Sequence, residues 1–242
     1  MIEPETILVT GGKGLLCREL RLHIPQACFT SMPDFDVTDY SSMENFITGR
    51  SIKAIIHAAA FTSPPQADKE PLRAIEVNIV GTSNVVKLCM LHGYKLIYIS
   101  TDYVFNGDQG NYSENDPVFP VNKYAWSKLG GECSVRLYED SLIIRTTFGP
   151  NEFPFQNAFV DQWTSRECVN VIAKKIINAV RSGITGTVHV GGTRKTVYEY
   201  AKSVSPEKNI GQISIFDMGF SLPKDTSLNC TRYHREVSED AS

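Results

Sequence analysis

Two short segments carry the residues best able to move a proton. Lys95-Leu96-Ile97-Tyr98-Ile99-Ser100-Thr101-Asp102 reads as an apolar strand that runs into the hydroxyls Ser100 and Thr101. Tyr124-Ala125-Trp126-Ser127-Lys128 sets a phenol and an ammonium four residues apart, which is one face of a helix. A free phenol titrates near ~10. A lysine charge about 4 Å away contributes roughly 4 kcal/mol at an effective dielectric of 20. One pKa unit is about 1.4 kcal/mol, so half of that coupling would bring the phenol to where it exchanges a proton with a carbonyl oxygen. The spacing alone is common, and Tyr198 with Lys202 shares it. Tyr124 is set apart by the strand ending in Ser100-Thr101, because open α/β sheets bind ligands beyond the carboxyl ends of their strands. Tyr198 has no such partner and reads as a surface helix residue.

The elements that must position these groups alternate. Thr6–Thr10 reads as a buried strand, Leu15–His23 as a helix stopped near Pro25, and Ala27–Thr30 as a second strand. A third short element precedes Asp36-Val37-Thr38-Asp39. Ser41–Thr48 reads as a helix that Ser41 or Ser42 could cap. Ile52–His57 is strand-like, and Pro71–His92 is a long helix with Pro71 in its first turn and Gly93 past its end. Lys95–Ser100, Lys123–Tyr138 and Leu142–Thr146 continue the rhythm as strand, helix and strand. Such alternation predicts a Rossmann-like α/β fold, a parallel sheet doubly wound by helices. The rhythm stops near Gly149, which places a nucleotide-binding domain over residues 1–148. A small substrate-binding lobe and a polar tail follow over residues 149–242, with the two lobes interleaved. A helix is expected around Val169–Ser182, a strand at Thr187–Val190, a helix at Val197–Val204 and a frayed end over Glu236–Ser242.

Between the first strand and first helix lies Thr10-Gly11-Gly12-Lys13-Gly14-Leu15-Leu16-Cys17. Backbone N–H groups at a helix start there can hold a pyrophosphate. Gly11 would make the tight turn and Gly14 would let the backbone approach the phosphate. Cys17 stands where a third glycine is usual. NAD-selective sites usually end the second strand with a carboxylate for the ribose 2′-OH. Here the strand ends at Thr30-Ser31, so nothing repels a 2′-phosphate, and Lys13 offers a positive charge unless it is simply a solvated loop lysine. NADP(H) is the expected cofactor, with NAD(H) second.

The chain has 242 residues and a formal net charge of −3, with no basic excess to hold a nucleic acid or a membrane surface by charge. No run of 18 apolar residues occurs, and no basic segment precedes the first apolar stretch, so a cytoplasmic protein is expected. The six cysteines are scattered and read as free thiols, and the histidines show no ligand spacing, so no metal is expected.

Taken in order, these motifs resemble the extended short-chain dehydrogenase/reductases, and within them the dTDP-4-dehydrorhamnose reductases. The matching residues are the glycine loop, Asp36-Val37-Thr38-Asp39, His57-Ala58-Ala59-Ala60-Phe61-Thr62, Ala67-Asp68-Lys69-Glu70 and Val77-Asn78-Ile79-Val80-Gly81-Thr82. Ser100-Thr101-Asp102-Tyr103-Val104-Phe105, Tyr124–Glu132 and Ile144-Arg145-Thr146-Thr147 follow. The resemblance implies NADPH-dependent reduction of the C4 ketone of a nucleotide-linked 4-keto-6-deoxy sugar. It makes Thr101, Tyr124 and Lys128 the catalytic triad, with Tyr124 protonating the sugar O4. It places Gly11, Lys13, Gly14, Leu15, Asp36, Val37, Ala58, Ala59, Ala60, Asn78, Tyr124 and Lys128 at the cofactor, and Thr62, Thr101, Asp102 and Phe148 at the substrate. Asp36 has an alternative role in a turn or cap. Asn78 has three readings: a proton relay, a group fixing the active-site helix, or an amide bonded to backbone. Tyr103 stands where sugar-nucleotide dehydratases carry a second acid, which favours plain reduction over 4,6-dehydration.

Phe148 occupies the place of an aromatic, often Trp, that lines the family's sugar pocket. Beyond it about a helix of chain is missing, whether Asn157–Val160 begins the family's next helix or Asp161-Gln162 is its later Asp-Gln element. Pro64-Pro65 also interrupts the loop near the expected sugar site. Two other readings therefore remain open. One is another sugar-nucleotide activity, such as an epimerase or epimerase/reductase. The other is a non-catalytic NADP-binding subunit resembling that of methionine adenosyltransferase. A homodimer through the Tyr-Lys helix, with Trp126 at its surface, is a further implication of the family.

Overall fold

A computed structural model of the chain describes residues 2–237. Of the tail expected to fray, residues 238–242 lie outside the described residues, and Glu236 ends a short helix, Thr231–Glu236.

One six-stranded parallel sheet organises the molecule. Its strands are β1 (Ile7–Thr10), β2 (Cys28–Thr30), β3 (Ala54–His57), β4 (Lys95–Thr101), β5 (Ser141–Thr146) and β6 (Gly186–Val190), in the spatial order β6-β5-β4-β3-β1-β2. Leu8 of β1 faces Cys28 on one side and Ile55 on the other. The chain order therefore reverses at β1, and this switch point opens a crevice at the carboxyl ends. Every residue of β1, β3, β4 and β5 is buried. That is why these strands read as continuous apolar runs rather than alternating ones.

Helices α1 (Leu15–His23) and α6 (Val169–Ser182) cover one face. Leu16, Leu20, Ile172 and Ile176 meet Val9, Ile56, Ile97 and Leu142 there. The opposite face is covered by α2 (Tyr40–Ile47), α4 (Pro71–His92) and α5 (Lys123–Val135). Its core joins Met43, Val85, Leu88 and Val135 to the alternate strand residues Leu8, Ile55, Leu96 and Ile143. The architecture is the Rossmann-like doubly wound sheet expected from the alternation. Residues 169–190, beyond the point where the βαβ rhythm stops, return to it as α6 and β6.

Helix α4 spans 22 residues, and an 18-residue window within it has a mean hydropathy of 1.3, long and apolar enough by those measures to cross a membrane. Here it lies on the sheet, with Val85, Leu88 and Cys89 in the core. Its stretch Ile75–Val80 winds as a π-helix, a widening often found at functional sites. Against that stretch α5 packs with almost no side-chain spacer. A Cβ on Gly131 would stand 2.5 Å from the Tyr98 hydroxyl and 2.7 Å from the Asn78 carbonyl.

Several local expectations change. Asp39, not Ser41 or Ser42, caps α2, its carboxylate accepting from both serine N–H groups, because it precedes the first turn in extended geometry. No third element forms between β2 and α2; residues 31–39 are turns, a bend and irregular backbone. Pro64 and Pro65 begin a helix, α3 (Pro64–Lys69), capped by Ser63, as prolines in a first turn can. Asn157–Phe159 is a strand paired with Gly211–Ile213, so it does not start a helix.

His57 pins the layers together at the site end. Its Nδ1 lies 2.8 Å from the Thr10 hydroxyl and its Nε2 3.1 Å from that of Thr82, while Ala59 N–H donates to Thr10. Burial holds the imidazole neutral, with its pKa lowered to about 3. A histidine lowered on folding stabilises above its unfolded pKa of about 6.5 and loses that contribution as pH falls towards 3. By pH 5 the loss is of order 2 kcal/mol, about 1.5 pKa units. Urea midpoints measured from pH 7 to pH 5 are expected to fall for the native chain, and less steeply for His57→Gln.

Candidate active site

A cleft of about 1350 Å³ runs along the carboxyl ends of the strands, from Ser31 and Asp36–Thr38 past the glycine loop to Tyr124 and Thr147. At its centre Gly11 turns with φ +74°, and a Cβ there would stand 2.8 Å from Ala59 N. Both the left-handed turn and this close approach demand glycine. Gly14 opens α1 with no side-chain cap, so the first N–H groups of that helix are unclaimed by side chains and face an anion's place. Leu15, Ala58, Ala59 and Ala60 line the same wall. Cys17 is buried in the core, with its Sγ 3.6 Å from the Thr10 carbonyl oxygen, so the small side chain preserves the helix–strand contact.

Lys13 is exposed at the cleft rim, and its Nζ lies 3.5 Å from the Met32 carbonyl oxygen. Asp36 lines the cleft, but its carboxylate accepts from Thr38 N–H at 2.9 Å and Thr38 O–H at 2.8 Å, which is the turn-forming role. Val37 is buried beside Gly81 and also lines the cleft.

Asn78 requires a correction. It does not face the cleft. Its side chain is fully buried, accepts from Phe61 N–H at 2.8 Å, and donates to Phe61 C=O at 3.0 Å and the Ser127 hydroxyl at 2.8 Å. Ser127 donates on to Tyr124 C=O at 2.7 Å. The amide fastens the loop after β3 to the first turn of α5, and the π-helical turn is what aims it there.

The catalytic end gathers Thr101, Asp102 and Lys128, all buried, and the half-buried Tyr124. Thr101 ends β4, and its hydroxyl lies 3.2 Å from the Asp102 carboxylate and accepts from Tyr103 N–H. Burial raises the Tyr124 phenol above its ordinary range; a hydrogen bond from Thr101 opposes the rise, and the nearby Asp102 adds to it. Lys128 is 3% exposed, donates to Ile99 C=O at 2.8 Å and rests over the Tyr98 ring. Burial pushes it down to about 7, against the pull of Glu132. The expectation that the ammonium would bring the phenol down is therefore not met in the protein alone. Exclusion of water sets the direction, and the charge of Asp102 acts the same way. The phenol stands protonated at neutral pH, as a proton donor should.

Below this quartet lies a closed ionic core. Glu132, one turn beyond Lys128, accepts from Arg145 Nε at 3.0 Å and Nη2 at 2.9 Å and from Ser100 O–H at 2.6 Å. Both partners of the pair are essentially inaccessible.

Asp102 is also enclosed. Its carboxylate accepts from Thr226 O–H at 2.6 Å and has Thr164 O–H at 3.5 Å, and burial pushes its pKa up to about 6. It thus ties β4 to two segments of the lobe, besides lining the cleft. Thr62 and Phe148 stand at the cleft wall. Asp161 accepts from Ser214 O–H and Ile215 N–H, while Gln162 donates to the Tyr103 hydroxyl at 3.0 Å. Tyr103 and Arg166 also line this end and were not among the expected contacts, although their side chains cross from two elements. Tyr103 had a signal in the Ser-Thr-Asp-Tyr string. Arg166 had none, since nothing in its neighbourhood of sequence places it near Tyr124.

The family described as RmlD substrate binding domain matches residues 5–215. The chain belongs to that family. It is 30% identical over 200 residues to the dTDP-4-dehydrorhamnose reductase of Aggregatibacter actinomycetemcomitans, covering 79% of this chain and 68% of that one. It is 25% identical to the rat (Rattus norvegicus) methionine adenosyltransferase 2 subunit beta, over 96% of this chain and 82% of that one. Among solved structures, the dTDP-4-dehydrorhamnose reductase of Bacillus anthracis in complex with NADP superposes with a TM-score of 0.85. That pair is 27% identical, with 93% of this chain and 90% of that chain covered.

Replacing Glu132 by Leu leaves the Arg145 charge buried without a partner and is expected to cost about 3–5 kcal/mol of stability. The double variant Glu132→Leu/Arg145→Met should recover most of that loss in urea unfolding.

Proposed function

We propose that this protein is an NADPH-dependent oxidoreductase that reduces the C4 ketone of a nucleotide-linked 4-keto-6-deoxy sugar. One observation carries the reading: Thr101, Tyr124 and Lys128 converge at the end of β4, in a cleft continuous with the glycine loop. Family membership supports it, as does the NADP-bound relative. Residues 2–148 with the returning segment 169–190 form the NADP-binding part, and the remainder of 149–237 forms the substrate lobe.

The residues fit the cofactor. The uncapped start of α1 and the Gly11 turn suit a pyrophosphate, Ala58–Ala60 suit the body of the dinucleotide, and Lys13 suits a 2′-phosphate beside Ser31. When bound, NADPH supplies the hydride. Thr101 and Tyr124 hold the ketone oxygen by hydrogen bonds, and Tyr124 gives it a proton from its hydroxyl. Lys128, fixed by Ile99 C=O, stands where a ribose hydroxyl and the phenol can both be reached, and its charge stabilises the phenolate left behind. Phe148 and Thr62 bound the sugar, and the burial of Thr101, Asp102 and Lys128 keeps water from those groups. The exposed Trp126, edge-on to Phe119 at 5.6 Å, supports a homodimer through α5.

A second reading is a non-catalytic NADP-binding subunit, favoured by the match to methionine adenosyltransferase 2 subunit beta along nearly the whole chain. Following NADPH absorbance with dTDP- and UDP-4-keto-6-deoxy sugars separates the two. Turnover is expected, with Tyr124→Phe slower by about 10²–10⁴-fold and NADPH affinity retained. Equal rates for native and variant chains would refute the mechanism, and tight NADPH binding without turnover of any sugar would establish the subunit reading. Lys13→Ala is expected to raise the KM for NADPH about 10-fold, the loss of one charge-assisted hydrogen bond, and to leave that for NADH unchanged.

A further inference from the structure

Arg166 reaches the catalytic end of the cleft from the lobe side, next to Thr147 and Phe148. Its Nε is shut off from solvent and has no hydrogen-bond partner. No carboxylate lies within ion-pair distance of it among the described residues; its sequence neighbour Glu167 is held by Lys195 at 2.5 Å. Its charge acts on Asp102, but that carboxylate is already bound by Thr226. A guanidinium is built to grip a planar pair of oxygens, and a buried donor without an acceptor is costly. Both facts leave an oxyanion to be supplied from the cleft.

Its place tells which oxyanion. The guanidinium charge acts on the Tyr103 hydroxyl, and the Tyr103 ring meets the Tyr124 ring edge-on with centroids 6.5 Å apart. Arg166 thus stands one aromatic ring away from the phenol. In a pyranose the anomeric carbon lies across the ring from C4. A sugar whose C4 carbonyl meets Tyr124 therefore carries its anomeric oxygen toward Arg166. The cofactor's own pyrophosphate belongs to the start of α1.

We propose that Arg166 binds the phosphate attached to the anomeric carbon of the substrate, and so selects a nucleoside-diphosphate sugar over a free keto sugar. This rests on the reductase reading above and names the substrate group that its site recognises.

The test is calorimetric binding of dTDP and of UDP to the NADP-loaded protein, for the native chain, Arg166→Gln and Arg166→Lys, with NADP affinity and melting temperature measured beside it. Arg166→Gln is expected to weaken nucleoside diphosphate binding about 10- to 100-fold, as loss of charge-assisted hydrogen bonds does, with NADP affinity intact. Arg166→Lys should recover part of the loss. In turnover the change should fall on the KM for the sugar nucleotide rather than on kcat. Undiminished diphosphate binding by Arg166→Gln overturns the assignment while leaving the reductase reading intact. A shifted pH profile of kcat with KM unmoved also overturns it, since Arg166 would then act only through Asp102. A native protein that binds neither diphosphate overturns the nucleotide-sugar reading and this assignment together.

Discussion

The pairing of Glu132 with Arg145 is the constraint on which the site depends. A carboxylate and a guanidinium without water can coexist only if each fully satisfies the other, and here the two-pronged geometry does so, with Ser100 completing it. The pair joins α5 to β5, and Ser100 adds β4. The three elements that carry Lys128, Thr146 and Thr101 are thereby fixed relative to one another beneath the reacting atoms. Apolar packing alone would hold α5 against the sheet with some freedom to slide. The ionic pair sets its register, because a shift of one residue would leave both charges uncompensated.

Above that base, the polar residues fall into two groups by what they touch. Asn78, Ser127, His57 and Thr10 spend their hydrogen bonds on the protein and set positions. Thr101, Tyr124 and Lys128 retain capacity directed at the cleft. Burial acts on the second group in a way that suits a reduction. It keeps the phenol protonated, so the proton donor is loaded before a carbonyl arrives.

Much of this was legible in the sequence. Gly11, Gly14 and the strand-to-hydroxyl transition at Ser100-Thr101 announce themselves because backbone geometry and sheet topology restrict what can stand there. The parallel sheet was readable because strands buried on both faces must be apolar throughout. The return of residues 169–190 to the sheet was readable as helix and strand, though not as neighbours of α1 and β5, since pairing between distant segments leaves no periodic trace. Asn78 kept three readings for a related reason: only the π-helical turn decides which way its amide points. The direction of the Tyr124 shift was misjudged because charge spacing is visible in a sequence and depth of burial is not. Arg166 and Thr226 were invisible, as both act on Asp102, more than 60 residues before either in the chain.

The interleaving of the two lobes has an evolutionary side. A chain that leaves its sheet after β5, builds wall for the sugar, and then re-enters as α6 and β6 has no single joint at which the wall could be cut out and exchanged. Swapping the lobe as a cassette would remove an edge strand and expose the helix face beneath α1. New substrates must then be acquired in small steps, by lengthening or trimming the loops between fixed points. A lobe shorter by a helix's worth of residues, on an intact sheet, is the kind of change this construction permits.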